Sequence, residues 1–115
     1  MEHIPLLLMK CFADLFHCLM QTTVRNPVAV ELCSNGLISS EVRDEATRIS
    51  GDPAQKAYII VNTLFTQVNS SPHIILKAAR VLSQNPAVNS TAMMMDTIYW
   101  RAFLAHQLSG TYQVS

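Results

Sequence analysis

Four of the five prolines in this chain stand directly after a residue that caps helices: Asn26-Pro27, Asp52-Pro53, Ser71-Pro72 and Asn85-Pro86. Proline fits the first turn of a helix, where its missing N–H would be unpaired anyway. The Asn, Asp or Ser before it accepts a hydrogen bond from the free backbone N–H groups. Each pair therefore predicts a helix start, and Pro5 predicts another. With three glycines in 115 residues, little else is available to break the chain. Short helices joined by short loops are the expected result, an all-α bundle of neighbouring helices.

The apolar spacing fills in the helices. Helix 1 is expected over about 5–22, with Leu8, Phe12, Leu15 and Leu19 on one stripe, Phe16 beside it and Cys11 and Cys18 at its edge. Helix 2 begins at Pro27, carries Val28, Val30 and Leu32, and closes at Asn35-Gly36, where glycine takes the left-handed conformation. Helix 3 starts at Ser39 or Ser40, buries Val42, Ala46 and Ile49, and stops at Ser50-Gly51. Helix 4, from Pro53 to about Asn69, sets Ala57, Ile60, Val61, Leu64, Phe65 and Val68 against Gln55, Lys56, Asn62 and Thr66. Helix 5, from Pro72 to about Gln84, buries Ile75, Ala78, Ala79 and Leu82. Leu15, Leu32, Val42, Ile60, Leu64 and Leu82 are the expected heart of the core.

The last helix, within 86–109, is different because it carries two apolar stripes. Met94, Met95, Ile98, Ala102 and Ala105 form the one expected to face the bundle. Met93, Trp100 and Leu104 form a second, on the far side, too much for a terminal helix to bury on its own bundle. Gly110 is expected to end the helix, leaving 110–115 as a frayed tail after a single domain over 1–109.

Composition narrows the function. Eight basic and eight acidic residues cancel, so the general attraction that drives nucleic-acid binding is missing. Half the residues are hydrophobic and 14% are charged, a globular balance, and no run approaches the ~18 apolar residues of a membrane span. Three cysteines without a close pair suit a reducing compartment, and Ile4 to Met9 has no basic leader or cleavage site, so the cytoplasm is expected. No Gly-rich phosphate loop, H-E-x-x-H or G-x-S-x-G occurs. His17 beside Cys18 does not make a nucleophilic pair, because adjacent side chains on a helix point about 100° apart. The histidines never reach metal-ligand spacing. Neither catalysis, a cofactor nor a metal is expected.

The stretch Leu32…Gly36-Leu37-Ile38-Ser39…Glu41-Val42 resembles the junction of the second and third helices in caspase recruitment domains. Lys56-Ala57-Tyr58-Ile59-Ile60-Val61-Asn62-Thr63-Leu64 is similar to that family's fourth helix, and Ser71-Pro72-His73-Ile74-Ile75-Leu76…Leu82 stands where its fifth stands. The likeness covers roughly 4–85 and rests on helix lengths and apolar positions. It implies a death-fold bundle, six antiparallel helices in a Greek key. Such a module binds other caspase recruitment or death-fold domains in apoptotic or innate-immune assemblies, and homo-oligomers are open to it. It also implies an acidic surface, here Glu41, Asp44 and Glu45 with Glu31, and a basic one, here Lys10 and Lys56 with Arg25. Asp14 and His17 on helix 1 and the long apolar last helix depart from the family pattern. The alternative reading is a helical scaffold or regulatory domain that docks through Met93, Trp100 and Leu104 on its last helix.

Overall fold

A computed structural model describes residues 3–114, with side chains for 6–102 and 104. Among the described residues there are six α-helices and no strand: α1 (His3–Leu19), α2 (Thr22–Ser34), α3 (Ser40–Ala46), α4 (Pro53–Ser70), α5 (Ile74–Leu82) and α6 (Asn89–Val114). A single 3-10 turn (Pro86–Val88) leads into α6. This is the all-α bundle that the prolines predict. Three of the four proline caps act as expected in part or in full. The Asp52 side chain accepts from the Ala54 N–H and starts α4 at Pro53. Asn85 accepts from Ala87 N–H and starts the 3-10 turn at Pro86. At Ser71-Pro72 the chain first makes a tight turn, with Ile74 N–H bonded to Ser71 O at 2.9 Å, and α5 follows.

Asn26-Pro27 does something else. Pro27 lies inside α2, which begins at Thr22, where helix 1 was expected to end. What moves the boundary is Arg25, whose side chain is 2% exposed. Its Nε donates to Ala46 O at 3.0 Å, one terminal nitrogen donates to Leu19 O at 3.0 Å and Met20 O at 3.1 Å, and the other to Thr22 Oγ1 at 3.2 Å. Leu19 and Ala46 are the last residues of α1 and α3. The guanidinium thus sits where the negative ends of two helix dipoles converge, and it satisfies carbonyls that helix ends leave open. One buried cation binds three helices together.

The α2–α3 junction is the other rigid corner. Gly36 takes φ 75°, its N–H bonds to Cys33 O at 3.0 Å, and Leu37 N–H reaches back to Leu32 O at 2.9 Å. That is the Schellman closure, and the apolar pair that accompanies it, Leu32 and Leu37, is fully buried. Ser39 then caps α3 by accepting from Val42 N–H at 3.2 Å. Gln67 Nε2 donates to Leu37 O and ties this corner to α4.

The core gathers around α1, which packs on α2, α4, α6 and the 3-10 turn. Cys11, Phe12, Leu15 and Leu19 enter it from α1, Val28 and Leu32 from α2, and Ala57, Ile60, Leu64 and Val68 from α4. Ile75, Ala78, Ala79, Val81 and Leu82 come from α5, and Ala92, Met95 and Ile98 from α6. Of the six residues expected at its heart, five are buried and Val42 is half-buried. Four expectations fail because helices end or turn differently, the first being Phe65, which lies on the expected core stripe of α4 and is exposed. α3 stops at Ala46, so Ile49 lies beyond it and is fully exposed. Val30 points outward from α2. On α6, Met95 takes the inner position and Met94 is exposed, while Ala105 lies outside the described side chains. α6 runs to Val114 and passes Gly110, which a helix accommodates at a cost of roughly 1 kcal/mol. The side chains of 105–114, and all of Ser115, lie outside the described residues.

Candidate interaction surfaces

The acidic residues Glu41, Asp44 and Glu45 project to solvent from α3, and Glu31 does so from α2. They are not a field of bare negative charge. Arg43 pairs with Asp44 at 2.9 Å, and Arg48 pairs with Glu45. The carboxylate of Asp44, by hydrogen bond and by charge, holds the Arg43 guanidinium above its ordinary range.

The basic side is corrected more sharply. Arg25 and Lys56 are 2% and 5% exposed and are parts of the interior. Lys56 Nζ donates to Arg48 O and spans the loop after α3, where its Cε lies 3.4 Å from the point a side chain on Gly51 would occupy. Both cations are engaged by backbone carbonyls at or just beyond helix ends, a need that helical spacing does not reveal. Lys10 remains exposed on α1, so the expected basic surface is reduced to one of its three residues.

Met93, Trp100 and Leu104 are 62%, 46% and 56% exposed on α6, on the face directly away from Met95 and Ile98. The second apolar stripe is therefore outside. Trp100 lies edge-on to Tyr99, with ring centroids 5.4 Å apart at 83°.

A further apolar surface was missed by sequence reasoning. Met9, Phe12, Ala13 and Phe16 of α1 and Tyr58, Val61 and Phe65 of α4 line a shallow groove of about 260 Å³. Phe12 and Phe65 meet edge to face on its floor, 5.7 Å between centroids. The signal was present: Tyr58, Val61 and Phe65 are spaced three and four apart, a second stripe beside the core stripe of α4.

His17 and Cys18 diverge as neighbours on a helix must. His17 is exposed, while the Cys18 thiol is directed at Ala87 O, 3.7 Å away. Burial, and secondarily the nearby Asp14 carboxylate, push the Cys11 thiol up in pKa. All three cysteines are free thiols. Among the described residues no three His, Cys, Asp or Glu side chains converge as metal ligands, and no helix is long and apolar enough to cross a membrane.

The fold and its surfaces define a helical bundle that exposes apolar side chains on its last helix and between α1 and α4. The chain matches no protein-family model, and no curated protein or solved structure matches it significantly.

Proposed function

We propose that this chain is a non-enzymatic protein-interaction module that docks through the outer face of α6. The observation that carries the reading is the row of Met93, Trp100 and Leu104, each about half exposed, opposite the buried face of the same helix. An exposed apolar row costs solubility unless a partner covers it, and a tryptophan at its centre is a common anchor. Trp100→Lys is expected to melt within about 1 kcal/mol of the parent and to lose retention on a hydrophobic-interaction column. A variant that unfolds would put Trp100 in the core and remove the docking face.

A second reading is favoured by the α2–α3 corner. The residues that build it, Leu32, Gly36, Leu37 and Ser39, belong to one of the three stretches that carry the resemblance to caspase recruitment domains. On this reading the bundle is a death-fold Greek key in the cytoplasm. It makes homotypic contacts with other death-fold domains in apoptotic or innate-immune assemblies, using Glu31, Glu41, Asp44 and Glu45. The burial of Arg25 and Lys56 counts against the usual basic counterpart on the same chain, so the complementary charge would come from a different chain. Reversing Glu41, Asp44 and Glu45 to lysine is expected to abolish homotypic binding with helicity intact, and binding in the parent should weaken as salt rises. Unchanged binding in a pull-down removes this surface.

A further inference from the structure

The outer row of α6 has a pattern finer than exposure. Met93, Thr97, Trp100 and Leu104 follow one another at intervals of four, three and four, the spacing of a coiled-coil seam. The row covers about 16 Å of helix axis. Thr97, the polar member, donates its hydroxyl to Met93 O at 3.0 Å, which satisfies the group locally and leaves its methyl available to the seam.

Two charges flank the row. By helical geometry Asp96 lies about 70° to one side of its mid-line and Arg101 about 70° to the other. Some 140° apart on one helix, they do not reach each other. Both are exposed, and among the described residues neither takes part in an ion pair. Arg80 of α5 lines the same shallow cleft as Asp96 without pairing to it.

We propose that the outer face of α6 is the seam of a homodimer, two copies packing α6 on α6 in parallel with Asp96 of each beside Arg101 of the other. This rests on the reading of α6 as a docking face, and names what docks. A two-fold axis running along two parallel helices sets the left flank of one against the right flank of the other. Acid then meets base on both sides, and a five-residue offset is the one that flanking pairs span in parallel coiled coils. An antiparallel pairing sets like flank against like flank, so acid would meet acid. The pattern is therefore self-complementary only in the parallel arrangement. The chain has no net charge, so two copies meet without general repulsion. The described part of the seam spans about three helical turns, a short contact of the kind that supports weak association. A weak, reversible dimer follows.

Sedimentation equilibrium over a concentration series tests this with wild type, Asp96→Arg, Arg101→Asp, the double swap, and an equimolar mixture of the two single variants. Both positions are solvent-exposed, and circular dichroism checks that each variant stays folded. Wild type is expected to dimerise, each single variant to bind itself about tenfold more weakly or worse, and the double swap to recover most of the loss. The mixture should form a heterodimer, since one variant then offers two bases and the other two acids. Acrylamide quenching of Trp100, the only tryptophan, should fall as the dimer forms. A wild type that stays monomeric into the millimolar range with Trp100 open to the quencher overturns the homodimer and leaves α6 as a docking face for another chain. Trp100 shielded in the monomer overturns both. Equal self-association across all variants overturns the parallel pairing of Asp96 with Arg101.

Discussion

Arg25 shows how one side chain can outrank local signals. The Asn26-Pro27 pair invites a helix start, yet α2 begins five residues earlier, at Thr22. Proline inside a helix forfeits one hydrogen bond and costs ~3 kcal/mol in an otherwise free helix. The buried guanidinium offsets this, with four hydrogen bonds that close the ends of α1 and α3 and the first turn of α2. Arg25→Lys keeps the charge but loses the planar fork, so most of those carbonyls go unpaired. It is expected to lower the unfolding free energy by roughly 2–4 kcal/mol in a denaturant titration. A titration matching the parent would mean the fork is dispensable. The family resemblance placed Arg25 and Lys56 on a basic surface, and nothing in residue spacing corrects that, because their partners include backbone carbonyls, which every sequence has everywhere.

At the scale of the element, helices with one clear stripe were legible, and those with two were less so. On α4, Ala57, Ile60, Leu64 and Val68 keep one face for the core and are buried, whereas Val61 and Phe65, expected on the same stripe, line the groove beside α1. Leu64 is wholly inside the core, so Leu64→Ala should leave a cavity and cost roughly 2–5 kcal/mol. A thermal melt indistinguishable from the parent would remove α4 from the centre of the fold. In α6 the run Met93-Met94-Met95 offers three equivalent side chains, and spacing places both Met94 and Met95 on the inner stripe. The structure buries Met95, because packing on α1 and α5 sets the rotation of the helix. α3 is the opposite case, a short helix whose end no residue marks strongly. Thr47 closes it after Ala46, and Ile49, apolar and correctly spaced, is left in water.

For the molecule as a whole, the long last helix is what departs from a rounded bundle. The Cα extents are 59 × 22 × 22 Å and the radius of gyration is 15.2 Å, above the ~13 Å of a rounded domain of this length. The outer row lies on the solvent face of α6, opposite the face packed on α1 and α5, where a second chain can approach it. The sequence by itself determined the class of fold, most of the helix order and the outward row Met93, Trp100 and Leu104. These follow from caps, breakers and a 3.6-residue period, which act within a dozen neighbouring residues. Tertiary structure decided the α1–α2 boundary, the burial of Arg25 and Lys56, the rotation of α6 and the groove between α1 and α4. Each of those depends on where a carbonyl or an apolar face from a distant part of the chain comes to rest, and no local periodicity encodes that position.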